Sequence, residues 1–276
     1  MGPYQQLGNL GAIVAKSHSV DSWPGNPAPR MFEATGGMLN SVGLQNKGIK
    51  YWLANELPKL EAARATVVAS IWGTSMEDYV LATKELTGAS TAIAAVEVNL
   101  SCPNLHRGRG MFAQSATDSA ELIASVVSEC DRPVWAKLSA AVTDLTEVAN
   151  AVAEAGADAV TLINTIPGMA IDIERHSPVL GGVSGGLSGP AIHPVAVKAV
   201  FDVRAANPHL PIVGVGGVSK VADAIELMMA GASAIQVGTA LFEDPRACQR
   251  IQDGIAAWCL SHGVTRVADI VGAAHG

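Results

Sequence analysis

The apolar positions of the chain fall into short runs without polar alternation, at 12–15, 66–71, 94–99, 133–138, 159–163, 211–215 and 234–237. Such runs are what strands buried on both faces look like. Between them lie segments with helical start and stop signals. The segment 76–86 follows Ser75-x-x-Asp78, and 145–154 follows Asp144-x-x-Glu147 and stops at Gly156. The segment 195–206 begins after Pro194, 222–229 stops at Gly231, and 245–260 stops at Gly263.

Strands that alternate with helices and carry no polar face predict an α/β fold with a parallel sheet. A closed (β/α)8 TIM barrel is favoured over an open sheet, as a single domain over 1–276. Only seven strands are countable where a closed barrel has eight, so the first strand is expected to be absent from this chain. Two stretches break the repeat. The stretch 21–48 is rich in Pro, Gly and Asn but carries Trp23, Met31, Phe32, Met38 and Leu39, which predicts a long ordered loop. The stretch 171–189 is similar, and its glycine run 181–186 is too rich in glycine for a helix.

Hydrophobic residues make up 49% of the 276, enough for a large core. With 18 Lys and Arg against 25 Asp and Glu, the formal charge of -7 argues against a nucleic-acid or anionic-membrane surface as the main partner. The four cysteines are scattered without CxxC spacing, and neither Glu33, Glu97 nor the seven histidines show ligand spacing. The expectation is a reducing compartment and no metal. No signal peptide or membrane-length apolar run is present, and Gln6 stands where a myristoylation motif needs Ser or Thr, which points to a cytoplasmic protein.

In a barrel, chemistry collects at the C-terminal ends of the strands. The unusual polar residues fall at those ends: Lys16-Ser17, the stretch 99–104, Lys137, Asn164-Thr165, Gly216-Gly217 and Gly238-Thr239. Glycines at 185–189, 216–217 and 238 follow the last strands, where backbone N–H groups can cradle a phosphate. A lysine that ends a buried strand wants an anionic or electron-rich partner, and Lys16 and Lys137 would suit the N1–O2 edge of a flavin. Asn40, Asn99, Asn104 and Asn164 can together bind the C=O and N–H edges of a cyclic imide. Cys102 lies beside two of these amides, and a thiol of ordinary pKa can take a proton near neutral pH. Each of these residues taken alone is as well explained by a turn, a cap or the core.

The motifs GAIVAKS (11–17), GNPAPR (25–30), GMLNSVGLQNKG (37–48), VEVNLSCPN (96–104), WAKLS (135–139), LINT (162–165), GGLSGPAIHPVAVK (185–198), VGVGGV (213–218) and ASAIQVGTA (232–240) run through nearly the whole chain. In these the sequence resembles the class 1 dihydroorotate dehydrogenases, and within them the catalytic subunit of the NAD-linked, two-subunit branch. The resemblance implies FMN at the barrel mouth and oxidation of dihydroorotate to orotate in pyrimidine synthesis, with Cys102 as the base at C5 and flavin N5 as the hydride acceptor. It assigns substrate binding to Lys16, Asn40, Ser41, Val42, Gly43, Leu44, Asn99, Asn104, Asn164 and Thr165. It assigns FMN to Lys16, Ser17, Asn99, Lys137, Ile163, Gly189, Gly216, Gly217, Gly238 and Thr239. It further implies a homodimer working with a subunit that carries FAD and an iron–sulfur cluster.

The family's first strand precedes GAIVAKS, and the chain as given starts too late to contain it. Ser70 stands where an asparagine is usual, and Phe112-Ala113-Gln114 replaces Phe-Gly-Thr. Two other readings compete: a dihydropyrimidine (dihydrouracil-type) dehydrogenase, and a truncated barrel kept as a non-catalytic subunit.

Overall fold

Val67–Ile71 and Ile93–Asn99 are almost wholly buried along their length, which is why these runs needed no polar alternation to form strands. The computed structural model describes residues 4–101 and 111–276. Along the chain these form β1 (Ile13–Val14), β2 (Met31–Ala34), β3 (Gly37–Asn40), α1 (Ile49–Asn55), α2 (Leu57–Ala62), β4 (Val67–Ile71), α3 (Met76–Leu86) and β5 (Ile93–Asn99). Next come α4 (Ala116–Val127), β6 (Val134–Lys137), α5 (Leu145–Glu154), β7 (Ala159–Leu162), β8 (Ile166–Gly168), β9 (Ile171–Asp172), β10 (Ser177–Pro178) and β11 (Gly185–Ser188). The chain ends with α6 (His193–Ala206), β12 (Ile212–Val215), α7 (Val221–Ala230), β13 (Ala234–Gln236), α8 (Ala240–Glu243) and α9 (Ala247–Ser261). The seven runs read as barrel strands are β1, β4, β5, β6, β7, β12 and β13, in the α/β succession of the barrel class.

Two compact units divide the chain. The first holds residues 1–24 and 44–160, and the second 25–43 and 161–276. In the first, β1 pairs in parallel with β4, β4 with β5, and β5 with β6. Helices α3 and α5 start where the sequence signals them, whereas α1 and α2 carry no side-chain cap and were not foreseen. The Ser75 hydroxyl accepts from the Asp78 N–H at 3.2 Å, and the Asp78 carboxylate accepts from Thr74 N and Ser75 N. These bonds hold the Asp78 carboxyl below the usual range against the opposing effect of burial. Asp144 caps α5 by accepting from Thr146 N and Glu147 N. Helix α4, which apolar periodicity did not reveal, opens on the same kind of signal, Ser115 accepting from Asp118 N at 3.1 Å.

In the second unit β12 pairs in parallel with β13, and Ile163 N, just past β7, donates to Val215 O at 2.8 Å. The stretches expected to be loops carry a sheet here. Residues 31–40 form the β2–β3 hairpin, with Met31 opposite Asn40 and Ala34 opposite Gly37. Strand β11 then pairs antiparallel with both β3 and β8. Glycine is needed in β11 because a Cβ at Gly185 would strike the Asn40 carbonyl and one at Gly186 the Thr165 side chain. These two glycines therefore serve strand packing. Among the described residues no helix is long and apolar enough to cross a membrane.

Candidate functional site

In the first unit the predicted residues gather at the ends of β1, β5 and β6. Asn99 closes β5 in register with Lys137 at the end of β6, and Leu100 N donates to Lys137 O at 3.3 Å. The Asn99 side-chain amide donates to the Ser17 hydroxyl at 3.4 Å, and that hydroxyl meets the Ser70 hydroxyl at 2.9 Å. Ser17, Asn99 and Lys137 are thus brought together, and Ser70 is a member of the same cluster. Beneath it Tyr79, fully buried on α3, donates its hydroxyl to the Asn99 carbonyl at 2.7 Å.

The Lys137 ammonium lies 3.4 Å from the Glu97 carboxylate, whose side chain is 1% exposed while that of the lysine is 20% exposed. Lys16 follows β1 and is exposed. Next to it His18 packs its ring near Trp52, and burial, with the Lys16 charge adding to it, lowers its pKa to about 4. Leu44 adopts a left-handed backbone, φ 60°, and its carbonyl accepts from Asn46. Cys102 and Asn104 lie outside the described residues. The Ser101 hydroxyl just before them is buried and has no hydrogen-bond partner among the described residues.

In the second unit the residues form two groups. Asn40 ends β3 and donates its amide to Gly186 O at 3.3 Å, while Gly186 packs on Thr165 and Asn164 Oδ1 accepts from Thr165 N at 2.8 Å. Ser41 is buried and accepts from the Asn26 amide at 2.9 Å. Val42 O accepts from Asn26 N, and Gly43, φ 67°, leaves no room for a Cβ beside that nitrogen. The second group is Gly189, Gly216, Gly217, Ile163 and Thr239. A Cβ on Gly217 would lie 2.8 Å from Gly189 O, one on Gly216 3.5 Å from Ile163, and one on Gly189 3.6 Å from Thr239. Gly189, Gly216 and Gly217 all have positive φ, so backbone turns back on backbone just before the start of α6. Gly238 differs, since a Cβ there would meet nothing within 4 Å.

His193, the first residue of α6, holds this turn. Its Nδ1 donates to Gly216 O at 2.9 Å and its Nε2 faces the Glu226 carboxylate at 3.0 Å. Sequence reasoning gave no role to His193, Tyr79 or Glu97, and named Ser70 only as a departure from the family pattern. Glu97 had a visible signal, as the one charge in an otherwise apolar strand run, whereas His193 and Tyr79 look like ordinary helix residues. Chemically, the first unit offers hydroxyls, an amide and an ammonium at adjoining strand ends, suited to the polar edge of a planar ring. The second offers glycine backbone at the start of a 14-residue helix, suited to an oxyanion.

A family model described as dihydroorotate dehydrogenase matches residues 2–258. The catalytic subunit of dihydroorotate dehydrogenase B (NAD(+)) from Pelobacter propionicus is 44% identical over 273 residues, covering 98% of this chain and 88% of that protein. The protein of the same name from a Geobacter species is 43% identical over 270 residues, with 98% and 88% coverage. That from Bacteroides thetaiotaomicron is 42% identical over 267 residues, with 97% and 88% coverage.

Proposed function

The chain belongs to the dihydroorotate dehydrogenase family, and on that premise we propose that it oxidises dihydroorotate to orotate in pyrimidine biosynthesis, with FMN as its bound flavin. The observation that carries the reading is the cluster of Ser17, Asn99 and Lys137 at the strand ends leading to Cys102. The dihydropyrimidine alternative is not favoured, since the relatives above are named for dihydroorotate.

The residues present fit a flavin. In the second unit the turns at Gly189, Gly216 and Gly217 offer bare backbone suited to phosphate oxygens, and in the first the partly open Lys137 ammonium would suit the electron-rich edge of the ring. Ile163 and Thr239 adjoin these glycines, and the family resemblance adds Lys16, Ser17, Asn99 and Gly238 to the proposed FMN set. When bound, the flavin supplies the acceptor for hydride leaving C6 of the substrate.

Cys102 takes the proton from C5. Asn40, Asn99, Asn104 and Asn164, with Thr165 and Lys16, orient the imide and carboxylate of dihydroorotate, and the 41–44 segment borders it. We read residues 1–276 as one functional domain, located in the cytoplasm. The word "catalytic subunit" in the relatives' names supports a partner subunit that passes electrons onward. An FAD and iron–sulfur protein would do this, with the present chain as a homodimer.

An absorbance spectrum of the purified chain, with and without dihydroorotate under anaerobic conditions, tests the reading. Bound flavin that bleaches with dihydroorotate is expected. Bleaching by dihydrouracil alone would replace the substrate, and absence of flavin would favour a non-catalytic role. Cys102→Ala is expected to keep the flavin and lower turnover by roughly a hundredfold to ten-thousandfold.

A further inference from the structure

Glu97 sits inside β5, opposite Ser70 on β4 and Trp135 on β6, where every neighbouring position of the strand is apolar. Its carboxylate is closed to solvent, and it lies 3.4 Å from the Lys137 ammonium, the more open member of the pair. A buried carboxylate is tolerated only when a cation or hydrogen-bond donors compensate it, so each partner constrains where the other can be. We propose that Glu97 is a positioning residue that sets both the place and the effective charge of Lys137 toward the flavin. This rests on the flavin reading above.

With Glu97 ionised, a ring against Lys137 faces an ion pair of zero net charge in place of a full cation. Negative charge that accumulates at the N1–O2 edge on reduction is then stabilised less than by a bare ammonium. Glu97→Gln keeps the shape, removes the negative charge and exposes the ring to the whole positive charge. At the effective dielectric of protein sites, a unit charge one side chain away changes such an equilibrium by about tenfold or more.

Sulfite titration of the flavin-loaded chain reads this directly, because sulfite addition at N5 also places negative charge on the ring. The dissociation constant for sulfite is expected to fall about tenfold in E97Q and to rise in K137M, since removing opposite charges moves it in opposite directions. E97D, which keeps the charge, should stay near the parent. The double variant E97Q/K137M lacks both charges and should return to within about threefold of the parent, which keeps the test decisive if E97Q alone does not fold. An unchanged value in E97Q, shifts of the same sign in E97Q and K137M, or a double variant as impaired as K137M would overturn the proposal. A parent chain without flavin would instead defeat the reading on which it rests, and this proposal with it.

Discussion

The Tyr79 hydroxyl donates a 2.7 Å hydrogen bond to the Asn99 carbonyl, tying the first turn of α3 to the end of β5 where the candidate chemistry begins. Asn99 is itself 7% exposed, so this carbonyl has little access to water if the bond is lost. Tyr79→Phe removes the donor and leaves the ring in place against Phe112. A buried acceptor left unsatisfied costs about 1–3 kcal/mol, and urea denaturation should show a loss in that range. A midpoint equal to that of the parent would mean that the strand end is held by other groups.

The glycines of the last strand ends separate into those that backbone contact requires and one that it does not. Gly217 has φ 69°, and a Cβ there would lie 2.7 Å from His193 Cβ, so Gly217→Ala combines a strained backbone with a clash. We expect a loss of about 2 kcal/mol or more, together with poor flavin retention. Gly238→Ala points into open space and should be tolerated within about 0.5 kcal/mol. Thermal unfolding and flavin content of the two variants, compared side by side, check the distinction.

Removing the His193 ring frees the Gly216 carbonyl and leaves the Glu226 carboxylate without that contact. His193→Ala should weaken flavin binding by about tenfold, the worth of one good hydrogen bond to the turn. His193→Asn can still donate from near the Nδ1 position and should recover most of the affinity. Flavin released on ultrafiltration measures both, and equal losses in the two variants would assign the effect to packing.

His18 makes stability depend on pH in a defined window. Its pKa is lowered to about 4 in the fold and is near 6.5 in the unfolded chain, so between these values the unfolded state binds the extra proton. Its contribution is complete above about pH 6.5 and is lost as pH falls toward about 4. Allowing for solvent screening it amounts to about 2 kcal/mol. Asp78 and Asp223, both held below the usual carboxylate range, lose their contributions only at still lower pH. Unfolding free energies of the parent and His18→Gln at pH 7 and pH 5 should therefore converge toward acid, and a constant difference would contradict the assignment.

Strands β4, β5 and β7 were legible because burial on both faces leaves an uninterrupted apolar run, and α3 and α5 because Ser75 and Asp144 are true caps. Helix α4 was hidden by its many Ala, Ser and Thr residues, which blur the apolar stripe, although its Ser115 cap was there to be read. The antiparallel sheet was hidden for a different reason. Gly185 and Gly186 have no side chains to show a period of two, and their partners lie far away along the chain. In the candidate site, residue types singled out Ser17, Asn99, Lys137 and the glycine turns. The groups that hold them, Glu97, Tyr79 and His193, act through pairings that only the folded chain displays.

The bond between Asn40 and Gly186 spans 146 residues, and so does the strand pairing around it. At roughly 5–20 residues per second the β2–β3 hairpin leaves the ribosome about seven seconds or more before the strand that completes its sheet has been made. Through that interval β3 presents an open edge, flanked by Met31 and Phe32, of the kind that recruits other chains. The fold therefore leaves the edge of this early hairpin to be shielded until β11 arrives.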